Sequence, residues 1–265
     1  MEELVRVRRE GEVALVLLNR PQKYNAFDSE MVEQFSTSLI TLAVEEGVKG
    51  LVVSGEGKAF CAGGDLQWAS RFPAGSPSGF HQLAARFHQA ILEIRRMGKP
   101  VIAAIRGIAA GGGFSLALAC DFRVMGRSAE LRQAYTSNGL CIDGGGTFSL
   151  PRLVGLARAL EIATFDQPIS SGQALAWGLV TKVVEDERVL EEAFQMARQL
   201  AKGSLHSFAW SKRLLTDSFQ NSIEAQLENE RHGLYACAAH EDGKEGLRAF
   251  GEKRKPVFGG RKPVT

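Results

Sequence analysis

Residues 60–65 read Phe-Cys-Ala-Gly-Gly-Asp and residues 107–113 read Gly-Ile-Ala-Ala-Gly-Gly-Gly. Each stretch follows a short β-branched run with the composition of a buried strand, residues 51–54 and 101–105. Glycine loops at strand ends leave backbone N–H groups bare. The second loop opens directly into the apolar segment 114–120, which sets its amides at a helix N-terminus, where partial positive charge favours an oxygen anion. Downstream, residues 139–147 read Gly-Leu-Cys-Ile-Asp-Gly-Gly-Gly-Thr, so one carboxylate, Asp143, stands among residues without bulk to screen it. Asp143 is the candidate acid/base, with a loop aspartate or a helix cap as the plain alternative.

Outward from these loops, Val5 and Val7 alternate with Arg6 and Arg8, and Glu10-Gly11 turns the chain into residues 13–18, a hairpin with one exposed strand. Asp28-Ser29 supplies capping residues ahead of Met31, Phe35, Leu39 and Leu42, spaced for a helix through Glu46. Strand 51–54 follows, then a helix from about Gly79 to Met97 with Phe80, Leu83, Phe87, Ile91 and Ile94 on one face. Strand 101–105, helix 114–119 and strand 122–125 continue the alternation of a layered α/β core. Beyond Gly155 helical periodicity dominates, over 156–165, 171–177, 189–201 and 207–219, broken only by 179–184. Residues 1–203 read as the core and 204–265 as a helical appendage. Its amphipathic stretch 222–239 needs a neighbouring subunit to cover it. Pro73 to Gly79 reads as a surface loop bordering the pocket.

A chain of 265 residues, 45% hydrophobic and 23% charged, buries a full core without staples. A net charge of +2 argues against nucleic acid as the main partner, although Lys253, Arg254, Lys255, Arg261 and Lys262 make the tail basic. Cys61, Cys120, Cys141 and Cys237 are widely spaced, as expected of a protein in a reducing cytoplasm. The N-terminal Met-Glu-Glu opens no secretory signal. The longest uncharged stretch, 107–120, is too short to span a bilayer.

Asn19-Arg20-Pro21 with Asn25-Ala26, the stretch 60–66, residues 99–104 (Lys-Pro-Val-Ile-Ala-Ala), the triplet 111–113 and Asp121 together resemble the enoyl-CoA hydratase/isomerase (crotonase) superfamily. The likeness runs on through Ala174, the turn 177–180 (Trp-Gly-Leu-Val) and the ending 249–254 (Ala-Phe-Gly-Glu-Lys-Arg). It implies an α/β crotonase-like spiral of ββα repeats, a C-terminal helical trimerisation region, and assembly as a homotrimer or dimer of trimers. It also implies a thioester substrate carried by coenzyme A, with no metal or redox cofactor. By motif position, the two backbone amides that hold the thioester oxygen fall on Gly64 and Gly112. Contacts to the coenzyme A nucleotide fall along Lys23, Asn25 and Ala26 and the backbone of Ala62, Asp65 and Leu66, with Phe250 and Lys253 from the C-terminal region. Gln67 stands where the family has a basic residue.

The resemblance also bears on the reaction. Hydratases of the family use two glutamates, and the matching positions here hold Ser115 and Tyr135. The surrounding pattern of Asp143 resembles the enoyl-CoA isomerases of the ring-1,2-epoxyphenylacetyl-CoA isomerase type, which implies one aspartate moving a proton from the alpha to the gamma carbon. Leu140, Cys141 and Ile142 are expected to desolvate it partly. Phe87-His88-Gln89 with Tyr135 and Asp143 also resembles the 4-chlorobenzoyl-CoA dehalogenases, with a histidine aiding hydrolysis and the aspartate attacking the ring. Against that stand Gly64, where those enzymes carry a bulky aromatic, and Tyr135, where they carry tryptophan. His88, beside Ala84 and Ile91, is expected to be a satisfied structural histidine. A residual hydratase, and a catalytically silent acyl-CoA- or RNA-binding protein, are the remaining alternatives.

Overall fold

Strands whose alternate side chains enter two different apolar layers build the main sheet. In the computed structural model, which describes residues 2–259, the chain opens with β1 (Val5–Glu10), β2 (Val13–Leu18) and α1 (Ser29–Val44). It continues through β3 (Gly50–Gly55), β4 (Ala59–Cys61), α2 (Leu66–Ser70), α3 (Ser76–Arg96), β5 (Val101–Ile105), β6 (Ile108–Ala110) and α4 (Gly112–Ala119). Next come β7 (Phe122–Gly126), β8 (Glu130–Arg132), α5 (Gly146–Phe165), β9 (Ile169–Ser170), α6 (Ser171–Ala176), β10 (Lys182–Val184) and α7 (Val189–Ala201). Helices α8 (Leu205–Asp217), α9 (Ile223–Ala239) and α10 (Glu241–Gly251) end the described chain.

A six-stranded sheet runs β1-β2-β3-β5-β7-β10 and a four-stranded one β4-β6-β8-β9. All pairings are parallel except β1 with β2 and β8 with β9. After the β1-β2 hairpin, the strand pairs β3-β4, β5-β6 and β7-β8 each give one strand to each sheet before the chain turns into helix, the ββα spiral implied by the resemblance. In β2, Ala14, Val16 and Leu18 face the layer between the sheets, while Val13, Leu15 and Leu17 face α7. Period-two burial on both faces explains why β2, β3 and β5 read as continuous apolar runs. It also explains the low exposure of β1 only at its start, since β1 is the sheet edge.

Two expectations are corrected. The segment 73–79 is not all loop: Gly75, at φ 83°, caps α3, and Pro77 sits in its first turn, where a missing N–H costs nothing. Helix α5 starts at Gly146 and not near Leu156, and Gly155 (φ 75°, ψ 161°) breaks its continuity, which hid the first half from a periodicity argument. The second sheet was not legible, because β4, β6 and β8 are three residues long and β9 two.

The C-terminal helices keep much of their apolar surface open. Ile223, Leu227, Leu234 and Tyr235 of α9 and Leu156 and Leu160 of α5 are exposed. What ties α8 to the core is polar. Lys212 is its one buried residue, and its Nζ donates to the Ile94 carbonyl at 2.7 Å and to Asp121 Oδ2 at 2.9 Å. Asp121 also accepts the Val101 N–H at 2.9 Å. Burial draws the Lys212 ammonium below its ordinary value, against the pull of Asp121. Removing one partner of such a pair leaves an uncompensated buried charge. Lys212→Ala is therefore expected to cost on the order of 3 kcal/mol in urea unfolding at fixed protein concentration, and Lys212→Ala with Asp121→Asn less than the sum of the single changes.

Candidate active site

The glycine loops are held from below by two side chains of the segment after β2. Asn25, fully buried and at φ 57°, donates through Nδ2 to the carbonyls of Glu56 (3.0 Å), Ala59 (2.8 Å) and Phe60 (3.3 Å), and accepts the Arg20 N–H at 2.9 Å. Arg20 reaches Asp28 at 3.1 Å, Asp65 Oδ2 at 2.8 Å and the Ala26 carbonyl at 3.0 Å. Asp65 in turn caps α2 by accepting the Trp68 N–H at 3.0 Å. Burial pushes the Asp65 carboxyl up, but the Trp68 N–H and the Arg20 guanidinium outweigh it and hold it below the usual range. Asn25 and Asp65, expected along the coenzyme A path, thus spend their side chains on the loop and leave only backbone atoms for a ligand.

Backbone bonds fix the loop's direction. The Phe27 N–H goes to the Gly63 carbonyl at 2.7 Å and the Asp65 N–H to the Phe27 carbonyl at 2.8 Å, which passes over the N–H of Gly64. Gly112 is the first residue of α4, whose leading N–H groups a helix cannot pair by itself. The two loops touch: a Cβ on Gly63 (φ 93°) would lie 2.9 Å from Gly112 N and 2.9 Å from Ala110 O. Only glycine permits this approach.

Gly64, Gly111 and Gly112 line a cavity of about 650 Å³ together with Ala62, Leu66, Tyr135 and Asp143. Phe27, Phe80, Leu83 and Phe87 form its apolar wall, with His81, Asn138 and Cys141 among the remaining lining residues. Asp143 is the single carboxylate in that lining. Three predicted residues therefore meet in one cavity although Gly64 and Asp143 lie far apart in the chain. The aspartate does not cap α5, whose N-cap is Gly145. Its side chain is 37% exposed, and its Oδ1 lies 2.6 Å from His88 Nε2. His88 is accordingly no enclosed structural histidine; its side chain is 48% exposed.

Ser115, fully buried, donates to the Asp143 carbonyl at 2.6 Å. Burial pushes the Tyr135 phenol up, with the Ser115 hydroxyl and the Asp143 backbone as hydrogen-bonding neighbours, so Tyr135 is a neutral hydroxyl at neutral pH. Its turn is pinned by Asp166, which accepts the N–H groups of Ala134 (2.7 Å) and Ser137 (3.1 Å). The sequence offered no signal for Asp166, nor for Arg20 as the tie between two helix caps. His81 lies on the same face of α3 as His88, a spacing visible in the sequence but not used.

Of the other expected contacts, Ala62 and Leu66 line the cavity. Ala26 is buried and gives its carbonyl to Arg20. Lys23 Nζ bonds Gln67 Oε1 at 2.7 Å. Phe250 is 87% exposed and Lys253 has φ 54°, and neither belongs to the cavity lining. In the basic tail, Arg254 pairs with Glu245 and Glu252, while Arg261 and Lys262 lie outside the described residues.

A model of the family described as enoyl-CoA hydratase/isomerase matches residues 8–261. The chain belongs to that family. It is 34% identical over 262 residues to a 1,2-epoxyphenylacetyl-CoA isomerase of Escherichia coli (strain K12), covering 98% of this chain and 100% of the relative. It is 30% identical to 4-chlorobenzoyl coenzyme A dehalogenase-2 of Arthrobacter sp, covering 94% and 91% of the two chains. The crystal structure of an enoyl-CoA hydratase from Polaromonas sp. JS666 superposes with a TM-score of 0.90 at 36% identity, over 95% of this chain and 98% of that one. An acyl-CoA enzyme of this family is thus the frame for the site. Among the described residues no helix is long and apolar enough to cross a membrane.

The carboxylate under the Gly64 loop makes stability acid-sensitive. Because the folded Asp65 value is lowered, its contribution is present above the unfolded carboxylate value of about 3.9 and fades as pH falls through the folded value. Asp65→Asn is expected to cost about 1.5–3 kcal/mol at pH 7 and to flatten the acid limb of the stability curve, measured by urea unfolding between pH 3 and 7.

Proposed function

We propose that the protein is an enoyl-CoA isomerase that shifts a double bond through a stabilised enolate. One observation carries the proposal: a single carboxylate, Asp143, lines the same cavity as the glycines at the tips of two touching loops. In the proposed reaction the thioester oxygen accepts hydrogen bonds from the Gly64 and Gly112 amides. Asp143 takes the proton from the alpha carbon, and the C–H electron pair moves into the C–C bond to give an enolate whose negative charge rests on that oxygen. The protonated Asp143 then returns a proton to the gamma carbon, and the double bond moves into conjugation. Each preorganised amide is worth about 3 kcal/mol in such a transition state. The same carboxyl serves as base and acid because it is regenerated at the end of each cycle.

The lining favours transfer between carbons over addition of water. Hydration by paired carboxylates needs a second acid at the cavity, and the positions matched to it hold the hydroxyls of Ser115 and Tyr135. Tyr135 is held as a neutral phenol, suited to donating a hydrogen bond and not to accepting a proton. A second possibility, hydrolysis or dehalogenation of an aromatic acyl-CoA with Asp143 as nucleophile, draws on the contact between His88 and Asp143. The departures at Gly64 and Tyr135 from the dehalogenase pattern weigh against it.

Coenzyme A is proposed as part of the substrate, reaching the cavity past Lys23 and the Ala62 and Leu66 backbone. The exposed leucines and isoleucine of α5 and α9 support assembly as a homotrimer or dimer of trimers. Sedimentation equilibrium is expected to give a mass at least three times that of the chain, and a monomer at micromolar concentration would refute this assembly. For the reaction, Asp143→Asn is expected to abolish alpha-proton exchange of a 3-enoyl-CoA with D₂O, followed by NMR, while a fluorescent or calorimetric titration still detects acyl-CoA binding. Exchange at the parent rate would remove Asp143 as the base.

A further inference from the structure

Asp143 sits on a stretch of backbone with little stiffness of its own. Gly139, Gly144 and Gly145 around it have φ of 68°, 62° and 74°, conformations that glycine enters and leaves at low cost. From outside the loop, the Tyr135 phenol lies against its backbone, and two helices each supply a hydrogen bond. Ser115 of α4 donates to its main-chain carbonyl at 2.6 Å, which fixes where the chain passes. His88 of α3 meets its Oδ1 at 2.6 Å, which fixes where the carboxylate points. With Asp143 ionised, the carboxylate has only acceptors, so Nε2 carries the hydrogen and donates. The register of α3 against the loop is itself locked, because the neighbouring Phe87 is buried and a Cβ on Gly144 would lie 2.4 Å from its ring.

The two oxygens of Asp143 therefore differ. Oδ1 is bonded to a ring that is no part of the cavity lining, and Oδ2 takes no hydrogen bond from the described residues. We propose that His88 is the positioning residue of the acid/base: its Nε2–H holds Oδ1 and leaves Oδ2 aimed at the alpha and gamma carbons of the substrate. This rests on the assignment of Asp143 as the proton carrier. His88 does not touch substrate; it acts through Asp143. A pair with side chains 48% and 37% exposed adds little to folding stability, so the contact is one whose loss acts on the reaction and not on the fold.

The test compares His88→Ala, His88→Gln and Asp143→Asn, using alpha-proton exchange and isomerisation of 3-hexenoyl-CoA in D₂O. The Gln side chain places an amide N–H near the position of Nε2. For His88→Ala, kcat is expected to fall about 10- to 100-fold with KM within about twofold and an unchanged melting temperature, as for a misplaced catalytic group. His88→Gln is expected to recover most of that loss. Parent kcat in His88→Ala, or a loss that Gln does not restore, overturns the positioning role. If Asp143→Asn is silent while His88→Ala matches the parent, only that role fails. If Asp143→Asn exchanges at the parent rate, the proton-carrier assignment fails and takes the role with it.

Discussion

Everything at this site depends on one close approach of main chain to main chain. The turn at Gly63 and Gly64 lies against the first residue of α4 so tightly that a single added carbon at Gly63 would press on Gly112 N and Ala110 O. In the proposed reaction the amides of Gly64 and Gly112, both in the lining of a cavity with an apolar wall, supply partial positive charge that acts with less screening than in water. Backbone donors have no rotamers to freeze. The cost of holding them is met beneath the loop, by Asn25 on three carbonyls and by Arg20 between Asp28 and Asp65.

The rest of the fold serves to bring a carboxylate to that pair. The parallel pairing of β4 with β6 sets the loop after β4 and the start of α4 side by side, and on α3 Phe87 packs against Phe27 at 5.0 Å. The chain then returns through the turn around Tyr135 to Asp143. Ser115 and Tyr135 occupy the space beside it with hydroxyls, and a Cβ added at Gly144 or Gly146 would lie 3.1 Å from Ser115 Cβ or 2.8 Å from Ser115 Oγ. A site with one carboxylate suits chemistry in which the same group gives back what it takes, which is the basis of the proposed double-bond shift.

Much of this was legible in the sequence, and the parts that were not have common causes. The alternation of apolar strands and amphipathic helices, β5 and α7 with their full limits, the two glycine loops and the acid at Asp143 all rest on local periodicity or on residue type. Strands of two or three residues carry no period, so the second sheet was invisible. Gly155 interrupts the angular repeat, so the first half of α5 was missed. The inward roles of the Asn25 and Asp65 side chains had no local signal, because the buried carbonyls and the Arg20 guanidinium that take them as partners are brought there by the fold.

The sequence by itself determined which groups are available: bare glycine amides, one isolated carboxylate, and strands apolar enough to be covered on both faces. These follow from the chemistry and spacing of neighbours in the chain. Only the tertiary structure decided which of them meet. His88 and Asp143 are separated by 55 positions and bond at 2.6 Å, a pairing set by how α3 packs over the sheet, since no local pattern records the distance between residues joined through a shared core.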